Sequence, residues 1–423
     1  MKAHLTRASL CIDITPDSLD SELSALKAWM EEEKDTVYQA ILNNLLGYYI
    51  LDTGKKDETA IDTAIAYFQR SLQDKEMLFR KSAVDYRPMT NSKELSEKYC
   101  GDNMYQLLAR QAISRLSGYF IANPVSAEKI QNEILSIYDG LIDFYRQQGM
   151  TDARLLLMLD KLHYKGNDVS RGGVNEKLRL TDEQVITLLK QWAEEFADSP
   201  LCGEVYCQLA ERYDRMQDYT AKLKAAQTGL AKYPRSLSAN DLKEQIAEVL
   251  TPRLMVEIPF AYPGKDVDLK VKYRNLAGLT VELYRMNLPV TSPVLEREIN
   301  ASTLSQYGKL VSSRHYDLAA TPDYKETDTL LRYKFPVEGI YVVKSIPDGH
   351  RKYTAYGKAY VSSLQAISLG LPDGKQEINI VDRLTGHPVT GTEVAYYRVS
   401  PGEGYRLIKA YPVNGKGSVI LTP

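Results

Sequence analysis

The hydrophobic period of this chain switches from 3.6 residues to 2 at Thr251-Pro252. A period of 3.6 lines one face of a helix, and a period of 2 lines one face of a strand. The switch predicts a multidomain protein, α then β: an all-helical domain over 1–251, followed by antiparallel β-sandwich domains. With 423 residues, 44% of them hydrophobic and 26% charged, the chain has length for two to four folded domains and the composition of soluble folded protein.

Before the switch the apolar residues fall into stripes. Leu19, Leu23, Leu26 and Met30 line one helical face, with Asp17 or Ser18 as its cap. Val37, Ile41, Leu45 and Tyr48 line the next, and Gly54 offers a left-handed stop. Ile61, Ile65, Phe68 and Leu72 follow, then Met104, Leu108, Ala112, Leu116 and Tyr119. After Pro124 come Ile130, Ile134, Ile137, Leu141 and Phe144, and then a glycine-rich loop, Ser170-Arg171-Gly172-Gly173.

The stretch 182–250 reads as tetratricopeptide-like hairpins. Val185, Leu189, Trp192 and Phe196 form one stripe, broken at Ala197-Asp198-Ser199-Pro200. Leu209, Ala210 and Tyr213 form the next, with a turn at Asp218-Tyr219. Leu223, Ala226, Leu230 and Tyr233 then run into Pro234-Arg235-Ser236. The aromatic before each break, Phe196 and then Tyr233, recurs after 37 residues, near the 34-residue tetratricopeptide period. Small residues at Ala210 and Ala226 let antiparallel helices approach closely.

After the switch, Val267, Leu269, Val271 and Tyr273 alternate with charged residues, the mark of a strand buried on one face. Leu279, Val281 and Leu283 answer it. Further strands are expected at Leu331–Phe335, Ile340–Val343 and Ala359–Val361. These define a first sandwich over 252–363, with a helical insertion at about 293–313. A second sandwich is expected over 364–423, with strands around Ile378, Ile380, Val394, Tyr396, Leu407 and Val419–Leu421, and is read as incomplete. Thr385-Gly386 supplies a turn there, and Pro388 stops the ladder.

The search for chemistry ends without a site. The net charge of −2 argues against nucleic acid, which needs a concentrated basic surface. Cys11, Cys100, Cys202 and Cys207 match neither a disulfide framework nor a zinc knuckle. Cys202 and Cys207 would point about 140° apart on one helix and are expected as buried thiols. The five histidines, 4, 163, 315, 350 and 387, show no ligand spacing. Ser24-Ala25-Leu26-Lys27 has Ser-x-x-Lys spacing on an ordinary amphipathic helix, without an accompanying Lys-Thr-Gly. Gly415-Lys416-Gly417-Ser418 is expected as a hairpin turn, not a phosphate loop. No catalytic, cofactor-binding or metal residue is assigned, and no cofactor is expected. No stretch approaches 18 continuous apolar residues, and the first seven residues lack the apolar core of a signal peptide.

Three segments carry a family resemblance. Tyr262-Pro263-Gly264-Lys265-Asp266-Val267-Asp268-Leu269, running on to Val281-Glu282-Leu283-Tyr284-Arg285, looks like the opening of a macroglobulin-type domain. Phe335-Pro336-Val337-Glu338-Gly339-Ile340-Tyr341-Val342-Val343 looks like its later strands. Asp382-Arg383-Leu384-Thr385-Gly386-His387-Pro388-Val389 looks like the start of the next such domain. Together the chain resembles the bacterial alpha-2-macroglobulin family, particularly the large forms of Bacteroidetes-type cell envelopes.

The resemblance implies a longer, exported protease-trapping protein whose N-terminal platform this chain would form. Its partners would be proteases, met through other parts of the molecule, and other envelope proteins. The family's Cys-x-Glu-Gln thioester motif does not occur here, so no functional residue carries over. The competing reading is a helical-repeat scaffold that binds peptides or partner proteins, with the sandwiches as spacers.

Overall fold

The computed structural model describes residues 19–53, 58–89, 99, 101–118, 124–167, 180–372, 374–400 and 404–421. Cys11, Cys100, His4, the Asp17/Ser18 cap, the Gly54 stop, Tyr119 and the 170–173 loop lie outside them. The chain divides into two compact units, Met1–Ile246 and Ala247–Pro423. Helices fill the first and antiparallel sheets dominate the second.

The helical unit runs α1 (Leu19–Glu32), α2 (Thr36–Thr53), α3 (Glu58–Ser71), a short α4 (Lys75–Phe79) and a 3-10 turn (Ala83–Met89). Then follow α5 (Met104–Gly118), α6 (Pro124–Gln147), α7 (Thr151–Asn167), α8 (Asp182–Glu195), α9 (Cys202–Arg215), α10 (Tyr219–Lys232) and α11 (Ala239–Leu250). In α2 the sequence stripe captures only part of the burial. Val37, Ile41, Leu42, Leu46, Tyr49, Ile50 and Leu51 are all buried, so the helix is apolar around most of its circumference and must be covered on most sides. The buried Asn44 donates to Ser71 Oγ (3.2 Å) and to the Leu108 carbonyl (3.1 Å), which fixes α2 against α3 and α5.

α7, which the stripes do not single out, serves two cores. Ala153 and Leu157 belong to the core of α1–α6, and Leu155 and Leu162 to the core built by α8–α11. A Thr181–Gln184 capping box starts α8, and the Asp218 carboxylate caps α10. The two breaks 37 residues apart meet in space: Tyr233 Oη donates to the Ala197 carbonyl at 2.8 Å. Ala210 and Ala226 are fully buried, but glycines make the tightest approaches. A Cβ on Gly203 would run into Ser236, and one on Gly229 into 2.5 Å contact with Tyr206 Cβ.

The second unit begins in the last turn of α11, whose end leaves carbonyls without helical partners. Arg274 Nη2 donates to the Glu248 carbonyl (2.6 Å), and Asn275 Nδ2 donates to that of Val249 (2.7 Å). Seven strands then form two sheets. β1 (Arg253–Glu257), β2 (Asp266–Arg274) and β5 (Thr327–Lys334) pair in the order β1-β2-β5. β3 (Gly278–Met286), β4 (Gly308–Asp317), β6 (Gly339–Pro347) and β7 (Ala355–Val361) pair as β4-β3-β6-β7. Leu269, Val271, Tyr273 and Tyr333 from one sheet pack against Leu279, Val281, Leu283, Tyr341 and Val343 from the other, with Phe335 among them.

The insertion between β3 and β4 is shorter than the sequence suggests. A 3-10 turn at Pro293–Glu296 and α12 (Ala301–Tyr307) place Leu295, Ile299 and Leu304 over the outer face of β3 and β6, against Met286, Ile340 and Val342. Residues 308–313, expected as helix, are instead the first part of β4. Leu310 and Val311 are exposed there, so the strand lacks the one-sided alternation that would have marked it. Backbone pairing to β3 decides its form.

Five more strands follow: β8 (Leu364–Gly370), β9 (Gln376–Asp382), β10 (Glu393–Ser400), β11 (Gly404–Pro412) and β12 (Ser418–Leu421). They pair as β12-β9-β8 and β10-β11 around a small core of Ile378, Ile380 and Val419. Gly415–Ser418, expected as a hairpin turn, is a corner between sheets, because β11 pairs with β10 whereas β12 pairs with β9. Asn414 Oδ1 accepts from the Lys416 amide (2.8 Å) and the Ser418 amide (3.1 Å) and holds the corner.

These strands repeat the first five of the unit. β1 pairs β2, β2 pairs β5 and β3 pairs β4; in the same order β8 pairs β9, β9 pairs β12 and β10 pairs β11, all antiparallel. A register shift sits in the same pair each time, between Leu283 and Tyr284 on β3 and between Tyr396 and Tyr397 on β10. It leaves Val311 of β4 and Ile408 of β11 without a counterpart. Bulges are reproducible features of a strand pair. The turn after the second strand repeats as well, Leu276-Ala277-Gly278 and Leu384-Thr385-Gly386. Among the described residues, β6 and β7 have no equivalent in the second set.

Candidate structural joint

The residues between the two strand sets converge on one small cluster. Val361 ends β7, Leu364 starts β8, and Ser362-Ser363 is all that connects them. So short a link would leave the two sets free to swing unless side chains fix it. Glu338, just before β6, accepts from the Ser363 amide (2.9 Å) and from the Ser363 hydroxyl. The Ser362 amide donates to the Ala261 carbonyl at 3.3 Å, beside a parallel bridge between Ala261 and Val361.

Asp382 is the second anchor. Its Oδ1 accepts from the Leu384 amide (3.0 Å), the Thr385 amide (2.8 Å) and the Thr385 hydroxyl (2.9 Å), which folds Asp382–Gly386 into a closed turn. Its other oxygen accepts from Tyr262 Oη at 3.0 Å, across from the first set. Arg383 adds two contacts: its amide donates to the Ser363 carbonyl (2.7 Å), and its guanidinium lies 4.9 Å from the Phe260 ring centroid. Phe260 is otherwise largely open to solvent.

The electrostatics follow the hydrogen bonds. The Thr385 amide and hydroxyl hold the Asp382 carboxyl below the usual carboxylate range, and the Ser363 hydroxyl and amide do the same for Glu338. The bond to Asp382 raises the Tyr262 phenol. All these groups stay in their ordinary charge states near neutrality. The cluster joins the two strand sets.

The side chains weighed for chemistry lie elsewhere and apart. Cys202 and Cys207 are buried thiols; burial raises the first and, helped by Glu211, pushes the second up to about 12. A thiol so protonated is a poor nucleophile. His315 Nε2 lies 2.8 Å from Asp348 Oδ2 and serves an exposed ion pair, with its ring raised by that partner. His387 lies in the Asp382 turn, where its carbonyl accepts from the Asp382 amide (2.9 Å). Among the described residues no group of three or more His, Cys, Asp or Glu could hold a metal ion, and no helix is long and apolar enough to cross a membrane. Of the joint, Asp382 and the Thr385-Gly386 turn were visible as a motif. Tyr262 and Glu338 stand in the two macroglobulin-like segments, but their pairing with Asp382 and Ser363 has no local signal, since 120 and 25 residues separate the partners.

No protein-family model matches the chain, and no curated protein matches it. Among solved structures it is similar to native alpha-2-macroglobulin from Escherichia coli spanning domains MG0-NIE-MG1, at 19% identity and a TM-score of 0.33 over 40% of this chain and 57% of that one. A second structure of the same protein, spanning NIE-MG1, gives 16% identity and a TM-score of 0.32 over 41% of this chain and 88% of that one. Domains 1–6 of the surface layer protein SbsC give 13% identity and a TM-score of 0.17 over 91% of this chain and 54% of that one. The chain thus spans little more than half the length of the first of these structures. Likenesses of this size assign neither family nor function.

Proposed function

We propose that this chain is a non-catalytic structural platform of an alpha-2-macroglobulin-like, protease-trapping protein, of the large form found in Bacteroidetes-type cell envelopes. The observation that carries the reading is the duplicated sandwich topology, β1–β5 and then β8–β12, with the two copies clamped at Ser362-Ser363 by Glu338, Tyr262 and Asp382. A serial array of sandwiches with short, pinned links suits a protein that must transmit a shape change along its length. The resemblance of 262–285, 335–343 and 382–389 to macroglobulin domains points the same way. On this reading the domains run 1–251, 252–363 and 364–423. The protein is exported, and proteases are its partners through regions outside this chain.

The test is to mix the full-length gene product with a panel of endoproteases and follow both by size exclusion. Co-elution of cleaved product with captured protease is expected. Protease that elutes free after cleavage would overturn the trapping role. A protein partner retained whether or not proteolysis occurs would instead support the helical-repeat scaffold.

A further inference from the structure

The first sandwich has a seam where its two sheets meet edge to edge. β1 ends one sheet and β7 ends the other. They run side by side in the same direction, with a parallel bridge between Ala261 and Val361 and with Ile258 packed on Gly357. Before Ile258, among the described residues, no ladder joins the two edges. Every second residue of an edge strand turns its N–H and C=O away from its one partner, so β1 and β7 both present backbone groups to the seam.

There the seam opens into a cleft of about 470 Å³, in the size range of ligand pockets. Pro252 and the start of β1 form one side, and Tyr353-Thr354-Ala355 the other. A turn holds that second side in place: the Tyr353 amide donates to the His350 carbonyl (2.9 Å) and the Thr354 amide to that of Arg351 (3.1 Å). Arg253 and Glu326 also line the cleft, and at 3.0 Å they neutralise each other. Met255 and Lys272 are cross-strand neighbours on one face, and Met255 is 57% exposed. Lys272 Nζ approaches Glu257 only to 3.9 Å, beyond hydrogen-bond distance, and so keeps its donors for another acceptor. Leu254 and Val256 turn the other way and lean on the core.

We propose that this cleft receives an extended segment of a partner protein, paired along the free edge of β1 and carrying the pattern apolar–acidic–apolar. Side chains alternate along such a segment. The residue opposite Met255 shares the face of Lys272, where a glutamate reaches across Met255 to the ammonium. Its two neighbours share the face of Leu254 and Val256, which points to the core and calls for apolar side chains. Backbone bonds to a sheet edge give such a segment affinity, and the alternate side chains give it selectivity. The occupant is a single slim strand. A second copy does not fit, because its own β1 lies between its β2 and its β7. The inference goes beyond the platform role and is independent of protease trapping.

The test titrates a fluorophore-labelled, end-blocked peptide, Thr-Val-Glu-Val-Thr, into the 1–423 chain and follows its anisotropy, with amide exchange at β1 as the local reading. The peptide's pattern is the same in both directions, so it suits either strand polarity. Saturable binding is expected, with slower exchange at β1 and none of that slowing at β3. Thr-Val-Lys-Val-Thr should bind about tenfold or more weakly, and Lys272→Glu should reverse that order. Lys272→Gln should erase the preference without reversing it, and it reads the same contact if the Glu variant loses its β3 protection. N-methylation of the two valine amides and N-methylation of the glutamate amide should differ sharply in effect, since only one set faces β1. No saturable binding of the Glu peptide would overturn the proposal. So would equal affinity for the Lys peptide, indifference to both N-methylations, or self-association of the chain that protects β1 without peptide. None of these readouts depends on whether the full-length protein captures a protease.

Discussion

The two strand sets of the β unit share pairing order, direction and bulge, yet only one has a large core. The first buries Leu269, Val271, Leu279, Val281, Leu283, Phe335 and Tyr341 completely, and among the described residues the hydrophobic core of the second is Ile378, Ile380 and Val419. The difference comes from coverage more than from strand chemistry, since β10 and β11 carry Val394, Tyr396, Val399, Leu407 and Ile408. Burial is a property of the covering layer, and hydrophobic stabilisation scales with the apolar area that layer removes from water. β6, β7 and the α12 insertion supply that layer in the first sandwich, where Met286 is buried under the insertion; the aligned Val399 is 58% exposed.

The sharpest way to break the comparison is to cut the same kind of group from each set. Phe335→Ala opens a cavity in the first core and should cost about 3–5 kcal/mol. Tyr396→Ala, on the uncovered face of the second, should stay within about 0.5 kcal/mol. Urea unfolding followed by exchange at β3 and at β10 would read the two separately.

A smaller contrast lies at the aligned glycines. A Cβ on Gly278 would drive into the Asp348 carboxylate and stand 2.9 Å from His315 Nε2, so Gly278→Ala should break that ion pair and cost about 1–3 kcal/mol. Gly386 meets nothing within 4 Å but sits at φ +70°, so Gly386→Ala should cost about 1–2 kcal/mol through backbone strain alone. Thermal melts of both variants, with the His315 ring shift as a local reporter, would separate the two causes.

The joint gives the mildest effects. Asp382→Asn keeps the shape and removes the charge, so exchange at the Leu384 and Thr385 amides should quicken while β3 and β9 hold. Equal exchange in both proteins would show that the carboxylate adds nothing to the turn. Acid should do the same reversibly. Asp382 and Glu338 titrate below their ordinary values, so their contribution is complete above the ordinary carboxylate range and fades as pH falls, below about pH 4. Small-angle scattering across that range should show the two strand sets separating before either loses its sheet signal.

Where a segment is covered on one side only, its residues announced its structure. β2 alternates cleanly because one face meets the core and the other water. The turn expected at Asp218-Tyr219 is where the Asp218 carboxylate caps α10. The cases missed are those in which local pattern and burial part company. β4 and β8 have no consistent inside, and β1 carries three apolar residues in a row, so none shows a period of 2. α2 is covered on nearly all sides, and a four-residue stripe understates it.

What the sequence determined alone was that helices come first and antiparallel strands follow, because periodicity is a local property that a chain carries with it. It also displayed the Asp382–Val389 turn, whose hydrogen bonds run largely between near neighbours. Tertiary structure decided which strands share a sheet, that β8–β12 repeat β1–β5, and that Glu338 and Tyr262 reach Ser363 and Asp382. Those contacts join residues 25 and 120 positions apart, and no local pattern encodes a partner at such a distance.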